Sequence, residues 1–404
     1  MSLDLESIYL DLHRHPELSF AEHRTAGIVA EALRGLGYEV TEGIGGTGVV
    51  GVLRSGPGPS ILLRADMDAL PVEEQTGLDY ASTARATDRD GNDVPVMHAC
   101  GHDSHVTCLL GAAERLAETR DEWRGTVTAL FQPAEEAGGG ARAMVADGLF
   151  DRIPKPDVVL GQHVMPAPAG VVGVHAGPAF AATDDLVVTM HGRGGHGSRP
   201  ETTIDPILMA ASTVTRLQGV VSREVAGTDT AVVSVGYLRA GSKINIIPSE
   251  AEFGINIRTY DEGVRARVLT AVRRVIEAEA EASGAPRPPE IVEGESFPVL
   301  YNDPDATART AEALRAALGA ERVIDLGPIT GSEDVGELAT AAGVPLVYWV
   351  FGGEDPQRFA TAQANGTLET DIPSNHSPHF APVIQPTLSV GVDALVAAAR
   401  AWLA

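Results

Sequence analysis

Cysteine is nearly missing from this chain: two thiols, Cys100 and Cys108, stand in 404 residues. A disulfide framework is therefore excluded, and a reducing cytoplasm is the simplest setting. Cys108 lies in an apolar helical run, 106–113, and reads as a small core residue. Long hydrophobic runs are missing too. No stretch is long enough to span a bilayer, and the opening Met-Ser-Leu-Asp-Leu-Glu is acidic and amphipathic, unlike a signal peptide. Positive charge is scarce, with 30 Lys and Arg against 55 Asp and Glu and a formal net charge of −25. That balance excludes nucleic acid and anionic membrane as partners and leaves a solvated acidic surface. Internal repeats and low-complexity tracts are absent.

What is present is a globular chain too long for one ordinary domain. Helical periodicity predicts α-helices over 4–13, 20–36 and 103–119. Apolar β-branched runs predict buried strands at Val49–Leu53, Ile61–Leu63, Thr126–Phe131 and Asp157–Leu160. From about Ala181 the texture changes. Strand 186–190, helix 204–221, strands 231–238 and 251–258 and helix 262–282 form a β-α-β-β-α unit, closed by Ala285-Pro286-Arg287-Pro288-Pro289. The remainder returns to α/β texture: helix 305–318, strands at 322–326 and 346–351, a polar loop over 353–373, and a helix over 386–402. The expected fold is α/β with two domains. Residues 1–180 and 295–404 form a discontinuous catalytic domain with a mixed sheet, and 181–294 form an inserted α+β domain.

Polar groups gather where predicted strands end. The densest stretch is Met97-His98-Ala99-Cys100-Gly101-His102-Asp103-Ser104-His105, three imidazoles, a thiol and a carboxylate in nine positions. Gly101 lets the backbone bend so that Cys100 and His102 aim at one spot. Thiolate and imidazole suit a transition metal, but a catalytic metal needs at least three protein ligands and an open position. Asp66 and Asp68 leave the strand at 61–63, where open α/β sheets place their sites, although aspartate also favours turns and caps. Glu135 and Glu136 leave the strand at 126–131. Neighbours in a turning backbone point apart, so one carboxylate can face a metal while the other faces its water. His163 follows the strand at 157–160 and reads as a ligand in a chain that already has three such clusters. His376 and His379 are both candidates near the C-terminus. The loop Gly192–Pro200 holds His196 but lacks G-x-G-x-x-G spacing after a strand, which argues against a dinucleotide.

These stretches, R-A-D-M-D-A-L-P-V-E-E, M-H-A-C-G-H-D-S-H, F-Q-P-A-E-E, G-Q-H-V, G-R-G-G-H-G-S-R-P, N-I-I-P, G-S-E-D and H-S-P-H-F, run in order from 64 to 380. Together they resemble the M20 metallopeptidase superfamily, in particular its amidohydrolase branch, subfamily D, which includes hippurate, N-acyl-amino-acid and auxin-conjugate hydrolases. The resemblance implies two divalent metal ions (Zn, Mn, Ni or Co). Cys100 and His102 would be ligands, with the thiolate able to bridge both ions. His163 would complete the first shell, and Glu136 with His376 would hold the second ion. It selects His376 over His379, which the residues alone do not. Asp68 would orient a ligand and Asp66 would only support. Two ions about 3.5–4 Å apart lower the pKa of a shared water, and Glu135 acts as general base and then acid. His196 would donate to the oxyanion, a role its position in a flexible loop does not suggest by itself. Arg258, with its planar fork, and Asn245 would hold a substrate carboxylate.

The resemblance thus implies hydrolysis of the amide bond of a small-molecule N-acyl-amino acid, with the inserted domain as a lid and a dimerisation surface. Two departures stand out. Glu201 replaces the usual His after Arg199-Pro200, and Ala381-Pro382 replaces acidic residues after the last motif. Two other readings stay open: a dipeptidase or aminopeptidase of the same superfamily, and a non-catalytic protein that closes on a ligand with the help of a metal.

Overall fold

The computed structural model describes residues 2–403. In chain order, helices α1 (Leu5–Arg14) and α2 (His23–Gly35) precede strands β1 (Glu39–Ile44), β2 (Gly48–Ser55) and β3 (Ser60–Asp66). Helix α3 (His102–Glu118), β4 (Gly125–Gln132), β5 (Val158–Pro168) and the short β6 (Val172–Gly173) follow. Then come β7 (Ala182–His191), β8 (Gly195–His196), α4 (Pro206–Glu224), β9 (Ala231–Ala240), β10 (Ile246–Ile247), β11 (Glu250–Thr259), α5 (Glu262–Ala282) and β12 (Glu290–Phe297). Helix α6 (Pro304–Leu318), β13 (Val323–Ile324), β14 (Leu346–Glu354) and α7 (Ile384–Trp402) complete the framework.

The chain divides into two compact units. One takes the residues up to Ala179, Tyr301–Gly327 and those from Asp334 onward; the other takes Phe180–Leu300 and the short return segment Pro328–Glu333. The first unit is an eight-stranded mixed sheet in the order β1-β2-β4-β3-β5-β14-β6-β13. Its four central strands, β4, β3, β5 and β14, are parallel, so their C-terminal ends share one edge, the edge where open α/β sheets build their sites. Register places Asp66 beside Gln132 and Arg64 beside Gly161.

The centre of this unit is apolar on both faces of the sheet. Ile61, Leu62 and Leu63 of β3 and Tyr348, Trp349 and Phe351 of β14 are buried, as continuous hydrophobic strands of a covered parallel sheet should be. Helix α3 is buried along nearly its whole length and packs with α7, whose Leu388, Val392 and Leu395 join the same core. Strand β5 runs through His163 to Pro168 instead of stopping before it, because β14 pairs with it along that whole length. The stretch expected as a polar loop contains helices at Pro356–Asn365 and Leu368–Asp371. The signal lay in Asp355-Pro356: the aspartate caps the helix through Arg358 N–H and proline occupies its first position.

The second unit is an antiparallel sheet in the order β9-β11-β7-β12. Along β11, Ala251, Phe253, Ile255 and Ile257 are buried in a core shared with Met209 and Leu217 of α4 and Val268 and Val272 of α5. The alternate residues Glu252, Asn256 and Arg258 therefore fall on the other face. Strands β8 and β10 pair as a separate small ribbon. No helix among the described residues is long and apolar enough to cross a membrane.

Candidate metal centre

Two turns carry the thiol and imidazole of the Cys-Gly-His stretch and the paired glutamates. Gly101 sits at φ +82°, and a side chain there would meet Val164 Cγ1 at 2.5 Å. Only glycine permits this bend, which leaves Cys100 on one side and His102 as the first residue of α3 on the other. The second turn follows β4. Ala134 adopts φ +50°, a left-handed conformation uncommon outside glycine, and Gly140 is pressed so closely on Pro133 O that a Cβ would lie 1.6 Å from it. Glu135 and Glu136 emerge from that turn.

The structure brings together the residues singled out around these turns. Ligating atoms of Cys100, His102 and His163 lie within 4.8 Å of one another, as do those of Cys100, Glu136 and His376, and those of His102, Glu135 and Glu136. Cys100 belongs to two of these groups. Its Sγ lies 3.4 Å from His163 Nε2, and Glu136 Oε1 lies 3.3 Å from His376 Nε2. His376, at φ +70°, is held by its own N–H on Ala99 O at 2.8 Å. His379 instead bonds Gln75 O through Nδ1 at 2.8 Å and takes no part in these groups.

Tautomers follow from the partners. His163 Nδ1–H donates to Val164 O at 2.7 Å, which leaves a lone pair on Nε2 beside the thiol. Burial, then His105, holds its pKa well below the usual imidazole value, so it stays neutral. His102 faces Asp68 Oδ1 with Nδ1 at 3.3 Å. Its Nε2 is buried without a hydrogen-bond partner, as is Glu136 Oε1, 3.8 Å away. Two orphaned buried polar atoms would cost about 1–3 kcal/mol each; a cation, taking the place of a proton on His102 Nε2, satisfies both. The charges agree. Burial disfavours a proton on His102, but Asp66, Asp68 and Glu136 outweigh it and raise its pKa to about 10. Burial, with Glu136, Glu135 and Asp66, pushes the Cys100 thiol well up. A thiolate among carboxylates is tenable only beside added positive charge, so the donor set fits divalent cations.

Asp68 is the keystone of the carboxylate side. Oδ1 and Oδ2 accept the N–H groups of Glu135 and Glu136 at 3.1 and 3.0 Å, and Ser19 Oγ donates to Oδ2 at 2.7 Å. Asp66 could form a ligand group with His102 and His105, but its oxygens are already engaged. His105 Nδ1–H donates to Oδ1 at 2.5 Å and Arg64 Nη1 to Oδ2 at 2.6 Å. Burial resists ionisation, yet Arg64, His102 and His105 hold the Asp66 carboxyl well below the carboxylate range.

Several supporting residues escaped sequence reasoning. His105 accepts the Val164 N–H on Nε2 at 2.8 Å and so links Asp66 to the backbone beside His163. Asn375 Nδ2 reaches Cys100 O and Val164 O at 3.3 and 3.2 Å. Arg64, fully buried, also bonds Gln132 Oε1 and Asp334 Oδ1. Only the periodicity of α3, which puts His105 one turn from His102, hinted at any of these.

The second unit carries the other three candidates. His196 is exposed, and its Nδ1 accepts the Ser198 N–H at 3.1 Å, so Nε2 carries the proton. Asn245 O accepts the Gly197 N–H at 2.8 Å, which places Asn245 beside His196. Arg258 lies at the far end of β11, opposite Thr183, and bonds Thr330 O at 2.8 Å and Ser332 Oγ at 3.2 Å. The nine residues from Glu250 to Arg258, eight strand steps, span roughly 26 Å. Within this unit, therefore, Asn245 and Arg258 do not meet on one carboxylate, contrary to the simplest expectation.

A thiol, imidazoles and carboxylates buried at the C-terminal edge of a parallel sheet are the furniture of a metal-dependent hydrolase. Residues 62–373 match the family described as Peptidase family M20/M25/M40, and the chain belongs to that family. It is 37% identical over 352 residues to thermostable carboxypeptidase 1 of Saccharolobus solfataricus, covering 86% of this chain and 85% of the relative. It is 40% identical over 277 residues to the N-acyl-L-amino acid amidohydrolase of Geobacillus stearothermophilus, covering 68% and 72%. Among solved structures, the Bacillus subtilis YXEP protein, described as a dinuclear metal-binding peptidase, superposes with a TM-score of 0.77 at 30% identity, covering 98% of this chain and 97% of that one. The chain is a hydrolase of amide bonds in the amidohydrolase branch of its family, and it uses divalent metal.

Proposed function

We propose that the substrate is an N-acyl-amino acid, cleaved at its amide bond with Glu135 as general base. The observation that carries this reading is the sharing of Cys100 between two ligand groups, with Glu135 in a third that overlaps both through His102 and Glu136. Cys100, His102 and His163 would hold one ion, and Cys100, Glu136 and His376 the second; when bound, such ions polarise a carbonyl and lower the pKa of water. Glu135, kept in place by the Asp68 bond to its N–H, takes the proton of the attacking water and returns it to the leaving nitrogen. The His196 Nε2–H is available to the oxyanion, and the Arg258 fork to the substrate carboxylate. An acyl-amino acid and a peptide cut at its C-terminal residue share this chemistry: an amide whose nitrogen belongs to an amino acid with a free carboxylate. Relatives with both names are therefore compatible with one site. Zinc, manganese, nickel and cobalt are the candidate ions; the thiolate favours the softer of them but does not decide.

The inserted unit, in this reading, is the lid and the surface of a homodimer. Two features support it. Edge strand β9 exposes Val232 and Leu238, and Ile244 and Ile246 are exposed nearby in sequence. His196 and Asn245 lie a strand's length from Arg258, so a small substrate that meets all three needs a second copy. The cytoplasm suits a buried free thiol. Glu135→Gln tests the core of the reading: turnover of N-acyl-amino acids should fall by roughly 10²–10⁴ while bound metal and substrate persist. Full activity in that variant would remove Glu135 from its role, and metal-dependent binding without turnover in the native chain would favour a binding protein.

A further inference from the structure

Three successive backbone N–H groups, those of Ala134, Glu135 and Glu136, end on buried carboxylates. Asp68 takes the last two. The first belongs to Glu22, the residue before α2, whose Oε1 accepts Ala134 N–H at 2.9 Å. We infer that Glu22 is a positioning residue for hydrolysis: by holding the Ala134 N–H it fixes the left-handed turn that aims Glu135 and Glu136. This rests on the reading of Glu135 as base and adds a residue 112 positions from Ala134 in sequence that belongs to none of the ligand groups.

The argument is geometric. Ala134 at φ +50° is in a conformation that alanine adopts only under constraint, and Gly140 N–H also donates to its carbonyl, at 3.1 Å. Glu22 is itself fully buried and fixed on both oxygens: Phe20 N–H donates to Oε1 at 2.8 Å and the Thr47 hydroxyl to Oε2. The same N-terminal segment sends Ser19 Oγ to Asp68. Residues 19–22 thus brace all three amides of the turn, one through Glu22 and two through Asp68. Among the described residues no ion pair holds Glu22 in place. Burial, then the Asp68 charge, raises its carboxyl to about 7. A carboxyl kept at such cost, where a hydrophobic side chain would pack, has a use for its acceptors.

The test compares Glu22→Ala and Glu22→Gln in the metal-loaded enzyme, with Glu135→Gln alongside. Glutamine keeps an acceptor for Ala134 N–H; alanine does not. The alanine variant should lose 10- to 100-fold in kcat, the usual scale for a support behind a catalytic group, with KM and bound metal within about twofold. The glutamine variant should recover to within about threefold of native. Should the alanine variant not fold, Glu22→Asp, a methylene short of Ala134 N, replaces it with the same expectation. A kcat within twofold of native, a loss matched by lost metal, or a glutamine variant as impaired as the alanine one would overturn the inference. Turnover surviving in Glu135→Gln would overturn the underlying reading instead, so the two failures are distinguishable.

Discussion

The two units hold their polar residues in opposite ways. In the first, Asp66, Asp68, His102 and His105 have almost no exposed surface, and every one is tied to a neighbour that is itself tied. In the second, His196 and Asn245 are exposed, and Arg258, half-buried on the open face of β11, is bonded to Asn256, Thr330 and Ser332. Buried, mutually fixed groups suit a reaction whose geometry tolerates little displacement. Groups at a surface suit recognition, where the partner supplies the remaining contacts. The difference predicts that changes in the first unit lower kcat and that changes at Arg258 and Asn245 in the second raise KM, with His196, as oxyanion donor, the exception.

The strongest way to break the comparison is to take away the ions. Chelation should reduce turnover by more than about 10³-fold and a divalent salt should restore it. The melting temperature should fall as well, because bound ions stabilise only the folded state. Unchanged melting would mean that the buried carboxylates do not need the cations. Next, His105→Ala removes the link between Asp66 and the Val164 backbone, and the ring packed on His102 and His163, without replacing a proposed ligand; kcat or metal affinity should drop roughly 10- to 100-fold. An effect confined to KM would contradict the division between units. Third, Arg258→Lys keeps the charge but loses the planar fork, so KM for acyl-amino acids should rise about tenfold with kcat nearly unchanged; a matching loss in kcat would assign Arg258 to the reaction itself.

The smallest effect on turnover is expected at His13, which sharpens the comparison by separating stability from catalysis. Its buried ring bonds Asp103 Oδ2 at 2.6 Å and Glu74 Oε1 at 3.1 Å. Burial opposes the charge, but those carboxylates outweigh it and raise the pKa from 6.5 to about 9. A raised histidine pKa stabilises the fold fully below its unfolded value and loses that contribution as pH climbs through the folded one. Stability should therefore decline between about pH 6.5 and 9 by up to roughly 3 kcal/mol, and His13→Gln should flatten the decline. Denaturant melts at several pH values measure both. An equal slope in the variant would assign the loss to another group.

Local pattern made much of this readable. Strand-end placement pointed to Asp68, Cys100, Glu135 and Glu136 because parallel strands deliver their following residues to one edge, and helical spacing located α3 to within a residue. What could not be read is long-range pairing. Nothing near position 64 announces that Arg64 reaches Asp334, or that Asn375 staples Cys100 to Val164. The residues alone did not choose between His376 and His379, because the choice depends on a backbone bond to Ala99. The return of Pro328–Glu333 to the second unit left no trace in composition, since a crossing of six residues is too short to change texture.

The interrupted layout of the first unit also dictates a timetable. Strand β5 leaves the ribosome well before β14, its parallel neighbour, and His376 emerges later still. At about 5–20 residues per second, the inserted unit has time to fold while β5 lacks that neighbour, leaving an unpaired edge of the sheet open to wrong partners. A nascent chain stalled before residue 376 would present Cys100 and Glu136 with their third companion still unsynthesised, which makes ion capture through that trio a late event in biogenesis rather than a nucleus for it.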